Sequence, residues 1–202
     1  MNLICPASMR PHVNKVLAGE YSIPLNAIKP VIVDIGANVG SFSVWASRTW
    51  ADSTIYSYEP MKDNFEMLLL NTKILSNVKV HHVGVGNPGH SIMYKGANNC
   101  GEASFFQLGE QVDTPTEHVT VISPLGLPEN ITILKVDTEG CEIEIIDPLI
   151  SSGRVFAAVM FVYHSESDRR TLDNILKDYI LIGSSSNRSH RGVNKYFHKS
   201  LF

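Results

Sequence analysis

Four short apolar runs in this chain end in polar turns, and three of those turns carry carboxylates. The first run closes on Asp34-Ile35-Gly36-Ala37-Asn38-Val39-Gly40 and the second on Tyr58-Glu59-Pro60. The third closes on Gly84-Val85-Gly86-Asn87, and the fourth on Lys135-Val136-Asp137-Thr138-Glu139-Gly140-Cys141-Glu142. In open α/β sheets such turns, at the carboxyl ends of strands, are where ligands bind. A phosphate-binding turn uses three glycines and aims backbone N–H groups at a pyrophosphate. Here Ala37-Asn38 stands in place of the middle glycine, and a carboxylate from Asp34 at the mouth would repel a pyrophosphate. It suits a guest of positive charge. Gly36 and Gly40 permit close backbone approach, the first to the ligand and the second to the sheet. Glu59 follows Gly40 by 19 residues, near the spacing of about 20 at which an acid accepts hydrogen bonds from ribose hydroxyls. S-adenosylmethionine, a nucleoside bearing both an ammonium and a sulfonium, meets both requirements.

Alternating strands and helices must position these turns. Val31–Val33, Thr54–Tyr58, Val78–Val83, Ile131–Val136 and Val155–Val162 read as five strands, the last almost wholly apolar, as when both faces of a sheet are covered. Helical spacing marks Ser41–Trp50, Asp63–Leu75, a segment from just after Gly140 through Ile150, and Asp168–Asp178. The pattern predicts a mostly parallel sheet with helices on both faces. Tyr179–Ile182 and Val193–His198 are separated only by Gly183–Gly192, too short for a helical crossover, and should form an antiparallel hairpin. Residues 1–30 form an N-terminal extension with a helix at Pro11–Leu17 and a short strand near Tyr21. Residues 84–130 form an inserted region, rich in Gly, Asn, Thr and Pro, with short strands at Ser91–Tyr94 and Val119–Ile122. Long insertions are often functional, and substrate recognition is expected there.

Composition sets the outer bounds. With 44% hydrophobic and 18% charged residues among 202, disorder and low-complexity architectures are excluded, and a single domain over 1–202 is expected. The net charge of −3 argues against broad electrostatic binding of nucleic acid. Cys5, Cys100 and Cys141 form no close pair and fit a reducing compartment. No apolar run approaches the roughly 20 residues of a membrane span, and the first ten residues lack the pattern of a signal peptide. A cytoplasmic location is expected.

The quoted turns resemble those of the FkbM-type S-adenosylmethionine-dependent methyltransferases. The likeness runs from Gly19-Glu20-Tyr21 to about Asp147. It rests on Asp34 through Ser43, on Tyr58-Glu59-Pro60 with Asn64-Phe65 and Leu68, and above all on Lys135 through Glu142, whose Asp-x-Glu-Gly-x-Glu pattern generic methyltransferases lack. The resemblance implies a Rossmann-like seven-stranded methyltransferase fold and S-adenosyl-L-methionine as cofactor. It implies methyl transfer to a hydroxyl of a sugar, glycan or natural-product-like small molecule. Cofactor contacts are expected from Asp34, Gly36, Ala37, Asn38, Gly40, Ser43, Glu59, Pro60, Gly86, Asn87 and Asp137. After the fifth strand the chain departs from the family, which usually places a Glu two residues before a His. Here Val162-Tyr163-His164 stands, with Glu166 following.

Methyl transfer is an in-line displacement, so positioning dominates at roughly 7–11 kcal/mol, and a general base adds about 10²- to 10⁴-fold. Asp137 is the first candidate base, with Glu139 and His164 the others. Asp137 would equally balance a cationic cofactor, and both roles stay open. Glu139 and Glu142 also open a helix, where carboxylates favour the dipole by about 0.3–1 kcal/mol without catalysis. His81 and His82 point to opposite strand faces, and no metal site is expected. Beyond Asp178 there is no acidic residue, while Arg188, His190, Arg191, Lys195, His198 and Lys199 form a basic tail. That tail keeps RNA methylation as an alternative, beside a non-catalytic cofactor-binding module. A nicotinamide-dependent oxidoreductase is disfavoured by the altered glycine turn.

Overall fold

Successive side chains of a strand project to opposite faces, and along Val31–Ile35 (β1) this alternation creates two cores. A computed structural model describes residues 3–89, 92–94, 104, 116–188 and 191–202. Before β1 comes α1 (Arg10–Leu17); after it come α2 (Ser41–Thr49), β2 (Thr54–Tyr58), α3 (Lys62–Thr72), β3 (Val78–His81) and β4 (Gly84–Val85). The inserted region contributes β5 (Ile92–Tyr94), β6 (Thr116–His118) and β7 (Val121–Ile122). The chain then continues through β8 (Ile133–Val136), α4 (Glu142–Ser151), β9 (Ala158–Tyr163), α5 (Glu166–Ile175), β10 (Tyr179–Arg188) and β11 (Arg191–His198). Ile32 of β1 packs with Phe42 and Ala46 of α2 and with Val16 of α1. Its neighbours Val33 and Ile35 pack on the other side with Ile145, Ile146 and Leu149 of α4 and Leu172 of α5.

The seven-stranded sheet has the order β3-β2-β1-β8-β9-β11-β10. Neighbours from β3 through β9 pair in parallel, and β11 is antiparallel to both β9 and β10. The last hairpin therefore threads its second strand into the sheet and leaves its first on the edge. Pairing runs much closer to the turn than the apolar pattern indicates. Ser184, Ser185 and Ser186 join the ladder opposite Asn194, Val193 and Gly192, because backbone pairing carries polar residues that periodicity cannot flag.

Other boundaries shift for local reasons. α5 begins at Glu166 because Ser165 Oγ accepts from Asp168 N at 3.0 Å, an N-cap that satisfies an otherwise orphaned donor. The third strand ends at His81, and Gly84–Val85 leaves the main sheet to pair in parallel with β7. In the inserted region, β5 pairs with β6. Ser91, the expected start of that strand, and residues 95–103 and 105–115 lie outside the described residues. The strand expected near Tyr21 is absent: Tyr21 sits in the turn after α1, 1% exposed, with its ring edge-on to Phe42. No described helix is long and apolar enough to cross a membrane.

Candidate active site

Asp34 and Lys135 face each other in register on adjacent strands β1 and β8. Lys135 Nζ lies 2.9 Å from Asp34 Oδ1, with the two side chains 4% and 0% exposed. The same ammonium donates to the carbonyls of Gly36 at 2.8 Å and Ile35 at 3.3 Å. Asp34 Oδ2 accepts from Ser43 Oγ at 2.6 Å, and Ser43 Oγ also meets Ser57 Oγ at 2.8 Å. Burial lowers the affinity of Lys135 for its proton, but Asp34 and Asp137 more than offset this and raise its pKa above the ordinary lysine value. A buried ion pair with every donor used fixes the floor of the glycine turn. Asp34 and Ser43, expected as cofactor contacts, are buried beneath the turn and are not among the residues lining the two cavities above it.

The turn itself is shaped by two left-handed glycines and Asn38. Gly36 has φ +70°, and a Cβ there would meet the Asp137 carbonyl oxygen at 1.9 Å. The close approach is thus to the neighbouring strand end as well as to the cavity. Gly36→Ala should destabilise the fold by more than the roughly 1–2 kcal/mol of left-handed strain alone, read as a lowered denaturation midpoint. Gly40, at φ +88°, approaches α3: its Cβ would meet Leu68 Cδ1 at 2.8 Å. It serves helix packing, which corrects its expected approach to the sheet. Asn38, at φ 52°, turns its Oδ1 back to Val39 N at 2.7 Å.

Two cavities open above this floor. The larger, about 290 Å³, lies between the turn, α1, Glu20, Tyr21 and the start of β11. The smaller, about 50 Å³, lies over the ends of β1 and β2 and includes Glu59, Pro60, Met61 and Met93. Gly36, Asn38, Asp137 and Glu139 line both, so the two meet at the ends of β1 and β8. Ala37 lines the larger one. Gly86 and Asn87, also expected as cofactor contacts, line neither. Gly86 N bonds Ile122 O at 3.0 Å, and Asn87 Oδ1 accepts from Gly89 N at 2.9 Å. The strand they follow has left the main sheet.

Glu59 is 4% exposed. Its Oε2 accepts from Asn38 N at 2.8 Å, and its Oε1 from Met61 N at 3.0 Å and Asn64 Nδ2 at 3.4 Å. Burial pushes its carboxyl up to about 7 despite those donors and the charge of Lys135. Asp137 has the opposite balance. Burial raises it, but Lys135, His164, Arg191 and His12 together hold it below the ordinary carboxylate value. Its Oδ1 is closed off from solvent and has no hydrogen-bond partner among the described residues.

The loop from Asp137 to Glu142 is tied from below and from the side. Glu142 Oε1 accepts from Thr138 N at 2.9 Å, Thr138 Oγ1 at 3.2 Å and Gly140 N at 3.3 Å. Glu139 sits in left-handed backbone at φ 54°. Arg191 of β11 grips both its oxygens, with Nη1 3.1 Å from Oε2 and Nη2 closer still to Oε1. His164 bridges the acids: Nε2 lies 3.1 Å from Glu139 Oε2 and Nδ1 3.3 Å from Glu142 Oε1. Burial lowers its pKa, yet these carboxylates pull it up to about 10. An imidazolium at neutral pH cannot accept a proton, and His164 lines neither cavity. Its candidacy as a base thus finds no support in this geometry. Glu139 is itself held by two cations, Arg191 and His164. Asp137, Glu139 and His164 are close enough together to hold a cation, but Arg191 and the charged His164 already balance Glu139 and Glu142.

Lys135, Glu20, Tyr21 and Arg191 carry no catalytic or cofactor-binding expectation from the sequence. A lysine in the apolar run Ile131–Val136 was the visible signal for the first, since a buried charge requires a partner.

The family model for the methyltransferase FkbM domain matches residues 34–192. "Methyltransferase 1" of Beauveria bassiana (strain ARSEF 2860) is 26% identical over 57% of this chain and 56% of its own length. "Methyltransferase sdnD" of Sordaria araneosa is 27% identical over 62% of each. The matches thus span under two thirds of these relatives. Among solved structures, a precorrin-6y C5,15-methyltransferase from Geobacter metallireducens GS-15 superposes with a TM-score of 0.59 at 13% identity, covering 98% of this chain and 95% of that one. A fibrillarin/Nop5p complex superposes at 0.57 with 12% identity over 91% and 79%. These likenesses carry the Rossmann-like methyltransferase fold. With the Asp137–Glu142 loop closing over the β1 turn, and with a domain match over most of its length, this chain belongs to the FkbM methyltransferase domain family.

Proposed function

We propose that the protein transfers a methyl group from S-adenosyl-L-methionine to a hydroxyl of a sugar, glycan or natural-product-like small molecule. The observation that carries this reading is the meeting of two cavities at Asp137, with the buried acid Glu59 in the smaller one. The residues fit such a guest: one oxygen of Asp137 lacks a partner, and Glu59 Oε2 keeps a lone pair beyond its bond from Asn38 N. When bound, the cofactor supplies an electrophilic methyl group on a sulfonium. Glu59 would accept the ribose hydroxyls, Pro60 and Met61 would flank the nucleoside, and Gly36, Ala37 and Asn38 would set the turn against it. Asp137 would face the acceptor hydroxyl and take its proton. The basic tail favours a small acceptor over RNA, because three of its described cations already have partners within the chain. Arg191 pairs with Glu139, Lys195 donates to Ser22 O at 3.0 Å and Lys199 to Lys177 O at 2.6 Å.

Glu59 gives the test. With its carboxyl at about 7, only about a tenth is ionised one pH unit lower, and a neutral carboxyl is a much weaker acceptor for ribose hydroxyls than a carboxylate. Calorimetric titration should find S-adenosylhomocysteine bound about tenfold more weakly at pH 6 than at pH 8. Glu59→Gln should flatten that dependence and weaken binding at pH 8. In the free protein the linkage has the opposite sign: the folded group holds its proton up to about 7 against an ordinary 4.5. Its contribution to stability is therefore full below about 4.5 and is lost as pH rises to about 7. Absence of binding at any pH, or a pH response untouched by Glu59→Gln, would defeat the reading.

A further inference from the structure

Glu20 and Tyr21 are the two residues that carry the chain from α1 toward the sheet, and both line the larger cavity. The Glu20 side chain is only 4% exposed, with Oε1 held 2.5 Å from Lys15 Nζ. Its Oε2 is shut off from solvent and has no hydrogen-bond partner among the described residues. The same is true of the Tyr21 hydroxyl and of Asp137 Oδ1 on the same cavity. A buried polar atom without a partner costs about 1–3 kcal/mol, so three around one hollow describe a site built for a polar guest.

The chemistry of the three atoms narrows that guest. Glu20 and Asp137 are acceptors when ionised, and together they repel an anion and attract a cation that can donate. Tyr21 lies close enough to both for their charge to help burial raise its pKa well above the ordinary value. Its hydroxyl therefore stays protonated and can donate. Ser41, at the first turn of α2, lines the same cavity, and a helix N-terminus favours a carboxylate. One wall thus prefers an ammonium and the other a carboxylate, which together are the polar groups of an α-amino acid.

Resting on the cofactor reading above, we infer that Glu20 and Tyr21 form the subsite for the amino-acid end of S-adenosylmethionine. Glu20 Oε2 accepts from the ammonium, and the Tyr21 hydroxyl donates to the carboxylate. The N-terminal extension is then part of the site and not merely a cover over α2. Glu20 lines the larger cavity and Glu59 the smaller, so on this reading the two acids hold different ends of one molecule.

Two ligands that differ only at that end test the inference. S-adenosylhomocysteine carries the amino-acid group, and 5′-methylthioadenosine is the corresponding nucleoside thioether without it. Calorimetric titration of wild type, Glu20→Gln and Tyr21→Phe should show S-adenosylhomocysteine weakened about tenfold or more by Glu20→Gln, as for a lost hydrogen bond between charged groups. Tyr21→Phe should weaken it less, and 5′-methylthioadenosine should bind all three proteins alike. If both ligands weaken in parallel, the two residues act only on the fold and the inference fails. It fails also if neither ligand changes, even where the variants raise the KM of an acceptor, because the hollow would then belong to the acceptor. A wild type that binds neither ligand overturns the cofactor reading itself, a result distinct from both.

Discussion

Replacing Asp137 by asparagine is expected to lower turnover of methyl transfer about 10²- to 10⁴-fold, the span of a lost general base, while S-adenosylhomocysteine still binds. The reason lies in how the cations around Asp137 set its proton affinity. Lys135, His164, Arg191 and His12 outweigh burial and hold the carboxyl below its ordinary value. So weak a base cannot strip a proton from an unreacted alcohol ahead of the transfer. As the acceptor oxygen gains its methyl group, however, it becomes strongly acidic, and an ionised carboxylate with an open lone pair then takes the proton readily. Proton transfer on this account comes late, and Asp137 is ionised throughout the neutral range. Turnover should therefore stay flat between pH 6 and 8, while the KM for the cofactor rises as Glu59 gains its proton near 7. Measuring both parameters with a labelled methyl group separates the two acids. Asparagine keeps the volume and one acceptor oxygen but cannot accept the proton, so undiminished turnover in Asp137→Asn would remove the residue from the chemistry.

What the sequence disclosed about this site follows from the distance over which each residue acts. Glu59 is legible because its role depends on the end of one strand and on a turn 21 residues away, both visible as local patterns. The strand–helix alternation likewise records the sheet, since each element advertises its own apolar face. Asp34 shows the converse. Its sequence context is that of a ligand-facing acid, yet its carboxylate is claimed by Lys135, a partner 101 positions later that only the β1–β8 register brings alongside. His164 is similar: the carboxylates of Glu139 and Glu142, brought alongside from the chain after β8, hold it charged at neutral pH. Glu20 and Tyr21 carry no periodicity at all. Their placement depends on α1 docking against α2 through contacts such as Val16 with Phe42, which no single window of sequence contains.

The register pair also makes the strongest statement about stability. Lys135→Met should cost about 3–5 kcal/mol, the usual range for breaking a buried ion pair by removing one partner, measured by chemical denaturation. Methionine nearly fills the space of the lysine stem, so the loss is electrostatic: the Asp34 carboxylate is left without its counter-charge in a place with no access to solvent. The carbonyls of Ile35 and Gly36 lose their donor at the same time. Adding Asp34→Asn should restore part of that stability, because asparagine still accepts from Ser43 Oγ but carries no charge to strand. The double variant is thus expected to be more stable than Lys135→Met alone, although a change of two polar side chains in one core ordinarily compounds the damage. Activity should not return with stability. The glycine turn hangs from the lysine ammonium through the Gly36 carbonyl at 2.8 Å, and a neutral core restores the fold without restoring that tether. A double variant no more stable than Lys135→Met would mean that the carbonyl bonds, and not the Asp34 charge, are what the lysine chiefly sustains.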